Sequence, residues 1–197
     1  MRGNHGQFIL VISGPSGSGK STVIKKVIES TEGLWLSISA TTRPQRPGET
    51  HGVDYLFMSE SDFLAGIEKW EFAEWAKVFG HYYGTPKKPL VDHLEAGMDV
   101  VLEIDTQGAK QIREIFGPRC ITAFVAPPSI DELVNRLLRR GTEDKEQLAQ
   151  RLEAARKEMR EGAGYDYWVI NDDLEEAASD IAAIVRAERC KRSSRFS

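Results

Sequence analysis

Cysteine is scarce in this chain, with Cys120 inside an apolar run and Cys190 near the end, so neither a disulfide framework nor the paired spacing of a cysteine metal site is available. That usage fits a reducing cytoplasm. The four histidines, His5, His51, His81 and His93, stand apart without ligand spacing, which points to surface or turn roles rather than a histidine metal centre. No apolar run approaches the roughly 20 residues needed to span a bilayer. The opening Met1-Arg2-Gly3-Asn4-His5-Gly6-Gln7 leads directly into a short apolar strand, so neither signal peptide nor membrane anchor is expected. A formal charge of −4 lacks the positive excess of a general nucleic-acid binder, and no nucleic-acid partner is expected. Anionic ligands would need arginines placed locally. Internal repeats and low-complexity blocks are also missing, and 41% hydrophobic content over 197 residues suffices for a single domain, 1–197.

What is present begins with Gly14-Pro15-Ser16-Gly17-Ser18-Gly19-Lys20-Ser21, directly after the apolar Phe8-Ile9-Leu10-Val11-Ile12. Glycines allow a loop to fold back until consecutive backbone N–H groups face phosphate oxygens, and the helix start behind it adds the positive end of its dipole. Lys20 is placed to bridge β and γ phosphates, and Ser21 to hold Mg²⁺ that comes with the nucleotide. Thr22 continues into a segment with helical spacing. The pattern reads as a binding site for ATP or GTP.

Five apolar, β-branched runs, 8–13, 34–39, 99–105, 121–125 and 167–170, alternate with helical patterns at 107–116, 130–140, 147–160 and 174–188. This alternation predicts an α/β fold with a five-stranded parallel sheet covered by helices on both faces. Between the second and third runs the texture changes to short aromatic strands around a small helix starting near Ser61, an inserted mixed or antiparallel subdomain. Segment 131–161 mixes eight basic and eight acidic side chains along two helices joined at Gly141-Thr142-Glu143-Asp144, which reads as a solvated pair or as a lid hinged at Gly141. The basic Lys191-Arg192-Ser193-Ser194-Arg195 reads as a frayed tail.

Arg43 and Arg46 lie three residues apart in a loop stiffened by Pro44, Pro47 and Gly48. Two guanidinium forks can clamp one phosphate in a way that a lysine cannot. Glu103 and Asp105 end an apolar run, where alternation puts both on one side of the sheet, available to metal-bound water or substrate.

At this point the chain resembles the guanylate kinase family, on Ser39 to Arg46, Gly52-Val53-Asp54-Tyr55, Glu71-Phe72-Ala73-Glu74-Trp75-Ala76, Tyr82-Tyr83-Gly84-Thr85, Glu103-Ile104-Asp105-Thr106-Gln107-Gly108 and Asn171-Asp172-Asp173. The bacterial form is the nearest resemblance. It implies a P-loop nucleoside monophosphate kinase fold with core 6–34, 92–127 and 162–190, a GMP-binding subdomain 35–91 and a helical lid 128–161. It implies transfer of the γ-phosphoryl group of ATP to GMP, with Mg²⁺ as cofactor, dGMP as a further acceptor, and a monomer or small homo-oligomer. Arg43, Arg46, Tyr55 and Tyr83 would hold the GMP phosphate; Ser39, Glu74, Thr85 and Asp105 would face guanine. Gly14 to Thr22, Arg136, Arg140 and Asn171 would bind ATP, and Lys20, Arg43, Arg140 and Arg151 would converge on the transferring oxygens. Guanine N1–H and N2–H are donors that a carboxylate accepts as a pair, whereas adenine N1 is an acceptor.

Ala40, where a serine is common, and Thr106, where larger residues are common, depart from the family pattern without removing a ligand. Two other readings compete: a peptide-binding guanylate-kinase-like module, which the intact phosphate loop disfavours, and a kinase of another small phosphate, which has no use for the guanine-facing set.

Overall fold

The computed structural model describes residues 6–139 and 145–191. Its centre is β1 (Ile9–Ser13), buried along its whole length because both faces are covered. Leu10 and Ile12 point into one apolar cluster, with Val23, Ile24 and Val27 of α1 (Lys20–Ser30) and Ile181 and Val185 of α7 (Leu174–Cys190). Ile9 and Val11 point into the opposite cluster, with Leu90 and Leu94 of α3 (Lys87–Glu95) and Ala109 and Ile112 of α4 (Thr106–Phe116). The period-2 alternation of one strand thus divides the core into two layers.

With β2 (Leu34–Leu36), β7 (Asp99–Glu103), β8 (Cys120–Ala126) and β9 (Tyr167–Ile170), β1 forms a five-stranded sheet in the order β2-β7-β1-β8-β9. Every neighbouring pair is parallel. Because β1 is flanked by strands that come much later in the chain, the crevice beyond its C-terminal end lies where ligands bind in such sheets.

A second sheet, ordered β4-β3-β6-β5, combines β3 (Ala40–Thr41), β4 (Leu56–Phe57), β5 (Phe72–Val78) and β6 (His81–Pro86). It is mixed: β3 and β4 are parallel, while β6 is antiparallel to β3 and β5. The β5–β6 turn places Phe79 and Gly80 at φ of 47° and 84°, the left-handed pair that a tight hairpin needs. Beneath this sheet, α2 (Glu60–Glu68) is capped by Ser59, which accepts from Asp62 N at 3.1 Å, and its Phe63 stacks on Phe72 and Tyr82.

Three local expectations need correction. The run 34–39 is not one strand: Ser37 N still donates to Val101 O, but Ser39 O accepts from Leu56 N, so the chain changes sheets between them. The run 99–105 stops at Glu103, and Asp105 instead caps α4, accepting from Gly108 N at 2.9 Å; it is therefore not a strand partner of Glu103. Segment 87–95, not marked as helical by the pattern, forms α3, with Pro89 in the first turn, where a missing N–H is tolerated. Helices α5 (Ile130–Arg139) and α6 (Lys145–Gly162) share a small cluster of Leu133, Leu137, Leu152 and Ala155. The joint at Gly141 to Asp144 lies outside the described residues.

Candidate active site

The phosphate loop leaves β1 and enters α1 through Gly19, at φ 87°. A side chain at Gly19 would be strained there, and its Cβ would lie under 3.0 Å from the Asn171 carboxamide nitrogen. Asn171 is buried and donates from that nitrogen to Ser18 O at 2.6 Å, bracing the loop from below. Helices α2, α4 and α7 have side-chain caps from Ser59, Asp105 and Asp173; α1 has none and carries no acidic residue in its first turn. Its leading N–H groups are therefore suited to an anion. Ser18 Oγ is likewise buried without a hydrogen-bond partner among the described residues. Lys20 folds back over the loop, donating to Gly14 O at 2.5 Å and Pro15 O at 3.1 Å.

Ser21 donates to Glu103 Oε1 at 2.7 Å, which brings a carboxylate to the start of α1. A hydroxyl and a carboxylate are hard oxygen donors that suit Mg²⁺, an ion that keeps several waters and needs only one or two protein ligands beside phosphates. Among the described residues there is no cluster of three or more His, Cys, Asp or Glu of metal-binding geometry. The Ser21–Glu103 pair suits one or two positions on such an ion, phosphates and water filling the rest.

Beyond β3 stands a paired guanidinium and carboxylate. Arg43 is 9% exposed and meets Glu49 through Nη1 to Oε2 at 3.0 Å and Nη2 to Oε1 at 2.7 Å. Nη1 also donates to Pro44 O at 2.7 Å, and the guanidinium lies 5.4 Å from the Tyr55 ring centroid. Tyr55 and Tyr83 meet edge to face at 6.1 Å. Hydrogen bonding to Arg43 holds the Glu49 carboxyl below its ordinary range against the effect of burial. Burial works against the Arg43 charge, but Glu49 and Tyr83 outweigh it and its pKa rises. Burial and the Glu103 charge push the Tyr55 hydroxyl up to about 12. Arg46 is exposed; its backbone N–H donates to Glu49 Oε2 at 2.8 Å.

In the β5–β6 hairpin Glu74 stands opposite Thr85, and Thr85 Oγ1 donates to Glu74 Oε1 at 2.7 Å. Both are buried, Glu74 at 4% exposure. Burial raises the Glu74 carboxyl to about 7, the Thr85 bond opposing and the Asp105 charge adding. Asp105 accepts from Gly108 N at 2.9 Å and Gln107 Nε2 at 3.0 Å. Ser39 is half-buried just before β3. The loop that follows β3 thus supplies guanidinium groups, and the β5–β6 hairpin a buried carboxyl.

On α6, Arg151 reaches the phosphate loop, donating to Ser16 Oγ at 3.3 Å. Arg136 instead bonds Glu132 on its own helix at 2.9 Å. Arg140 lies outside the described residues. Three contributors were not singled out from sequence. Glu49 left a signal, an acid three residues after Arg46 in the same Pro-Gly turn. Glu158 left one too, two turns after Arg151 on the same helical face; burial raises it to about 7, with the Lys20 charge opposing. Gln111 of α4, which exchanges two hydrogen bonds with Trp75 next to Glu74, left none, because its partner is backbone.

The sequence matches the family model described as guanylate kinase over residues 7–188. A guanylate kinase of Caldanaerobacter subterraneus subsp. tengcongensis is 50% identical over 184 residues, 93% of this chain and 89% of that protein. One from Dechloromonas aromatica is 48% identical over 179 residues, 91% of this chain and 88% of the other. The crystal structure of guanylate kinase from Anaplasma phagocytophilum superposes with a TM-score of 0.82 at 36% identity, covering 98% of this chain and 92% of that one.

Proposed function

The chain belongs to the guanylate kinase family, and we propose that it transfers the γ-phosphoryl group of ATP to GMP, giving ADP and GDP. The observation that carries this reading is the buried Glu74 carboxylate beside Thr85, in the small sheet whose β3 runs on into the Arg43 loop. Glu74 accepts guanine N1–H and N2–H, and Thr85 addresses O6, with Ser39 and Asp105 completing the base site. Adenine would turn its N1 lone pair toward Glu74, a mismatch that such sites reject by on the order of 10⁴-fold.

Arg43, Arg46, Tyr55 and Tyr83 bind the GMP phosphate, and Glu49 gives up part of its hold on Arg43 as that phosphate arrives. The phosphate loop from Gly14 to Thr22 cradles ATP, Lys20 exchanging loop carbonyls for β and γ phosphate oxygens. Arg151, Arg140 and Arg136 turn toward those phosphates as the lid closes, and Asn171 flanks the adenine side while bracing the loop. Ser21, backed by Glu103, would hold Mg²⁺, which would supply positive charge to offset that of the phosphates. An oxygen of the GMP phosphate forms the new bond to the γ phosphorus as the bond to the β,γ-bridging oxygen breaks, and ADP carries that electron pair away. Positioning and charge stabilisation do the work, so no side-chain nucleophile is needed.

In this reading 35–91 is the GMP subdomain, 128–161 the lid, and 6–34, 92–127 and 162–190 the core. The assigned contacts address phosphate and base rather than the ribose 2′ position, so dGMP serves as an acceptor too. Among the described residues no helix is long and apolar enough to cross a membrane. We place the enzyme in the cytoplasm, as a monomer or small homo-oligomer, free of membrane and nucleic acid. ADP formation from Mg-ATP with GMP, dGMP, AMP or UMP tests the reading: preference for GMP and dGMP supports it, and equal use of AMP refutes it.

A further inference from the structure

Strand β5 is an edge of its sheet, with β6 on one side only. Its unpaired backbone would ordinarily face water or another strand. Instead Gln111 of α4 takes both groups of Trp75: Trp75 N donates to Gln111 Oε1 at 3.3 Å, and Gln111 Nε2 donates to Trp75 O at 2.8 Å. One carboxamide stands in for the missing strand, directly beside Glu74.

Three residues earlier on the same helix is Gly108. A Cβ built there would lie under 3.0 Å from Glu74 Oε2 and 3.0 Å from Glu74 Cδ. Gly108 has no positive φ that would require a glycine. What it supplies is room for a carboxylate. Helix α4 is itself fixed to the core, because Ala109 and Ile112 sit in the cluster beneath β1 and β7. Ala73, the residue before Glu74, packs in that same cluster.

We infer that Gly108 and Gln111 are positioning residues for base recognition, referencing the Glu74 carboxylate to the rigid core through α4. This rests on the reading of Glu74 as the guanine acceptor. Thr85 holds one carboxylate oxygen, Gly108 leaves space for the other, and Gln111 fixes the backbone that carries both. Any side chain at 108 pushes Oε2 off the line of the base edge, since the flexible carboxylate yields more easily than α4.

The test uses Gly108→Ala, Gln111→Ala and Glu74→Gln in the full chain, assayed with GMP and with IMP, which lacks the 2-amino group, with thermal unfolding confirming that each variant is folded. Gly108→Ala is expected to lower kcat/KM for GMP by about 10-fold or more and to reduce the GMP over IMP preference, with KM for ATP changed by less than about twofold. Gln111→Ala, which cannot clash, is expected to shift the preference the same way by a smaller factor. Added to Glu74→Gln, Gly108→Ala should change the preference by less than about twofold, as expected for two residues acting through one contact. Wild-type preference in both Gly108→Ala and Gln111→Ala, while Glu74→Gln loses it, overturns the positioning role and leaves the base reading intact. Loss of activity equal for GMP and IMP also overturns it. Wild-type preference in Glu74→Gln overturns both together.

Discussion

Arg43 and Glu49 face each other through two parallel contacts, of 3.0 and 2.7 Å, with the guanidinium held beside the Tyr55 ring. A carboxylate thus lies on the fork that our account gives to a phosphate. Glu49 keeps the guanidinium in the plane that an incoming oxyanion needs, and spares a largely buried charge the cost of standing unpaired.

Arg43→Lys keeps the charge and loses the fork. We expect kcat/KM for GMP to fall about 100-fold while KM for ATP stays within about twofold, measured by steady-state kinetics with each substrate varied. An equal rise in both KM values would show that Arg43 acts on the whole site and not on the acceptor phosphate.

Glu74 makes the folded protein sensitive to pH in a definite direction. Its carboxyl is raised from 4.5 to about 7, so relative to the unfolded chain it favours folding below the ordinary carboxyl range, and that contribution disappears as pH rises through about 7. At pH 8 the buried charge costs roughly 3 kcal/mol as an upper figure. Glu74→Gln is therefore expected to be more stable than wild type at pH 8 and to lose that advantage at pH 5, read from denaturant midpoints at the two pH values. Removal of the charge should also weaken GMP use, a trade of stability for recognition.

Gly19→Ala places a Cβ against the Asn171 amide in a left-handed backbone. The strain is worth about 1–3 kcal/mol. Calorimetric titration should show ATP affinity reduced by about 10-fold or more with GMP affinity nearly unchanged; loss of both would mean that the loop supports the whole cleft.

Lys20→Ala removes the ammonium that now rests on Gly14 and Pro15 carbonyls. Turnover should fall roughly 10³-fold with the melting curve unchanged, since the lysine stabilises charge in transfer more than it stabilises the fold. A variant retaining a tenth or so of wild-type turnover contradicts the role.

Much of this was legible in the sequence because local rules and tertiary structure agreed. The phosphate loop follows a strand and opens a helix, and both are visible as periodicity. The inner strands β1, β7 and β8 are apolar runs buried on both faces, and the edge strands β2 and β9, though partly exposed, keep an apolar, β-branched or aromatic composition, so the pattern survives without knowledge of neighbours. Agreement ends where the chain changes partners. Ser37 to Ser39 is extended on both sides of a sheet switch, so propensity reads straight through it. Asp105 continues an apolar run in sequence but caps α4 in space. Glu74 looks like the exposed member of an alternating strand, yet it is buried, with Thr85 of β6 and Gly108 of α4 against its carboxylate. Gly108 and Gln111 matter through a side chain 34 residues away and a backbone 36 residues away, relationships that no local pattern carries.

The most direct test is kcat/KM for GMP, IMP and AMP with wild type and Glu74→Gln at saturating Mg-ATP. Wild type is expected to prefer GMP over AMP by on the order of 10⁴-fold, and the substitution to collapse this preference while KM for ATP holds. Retention of the preference by Glu74→Gln, or an equal loss in ATP binding, would contradict the assignment of Glu74 as the base reader.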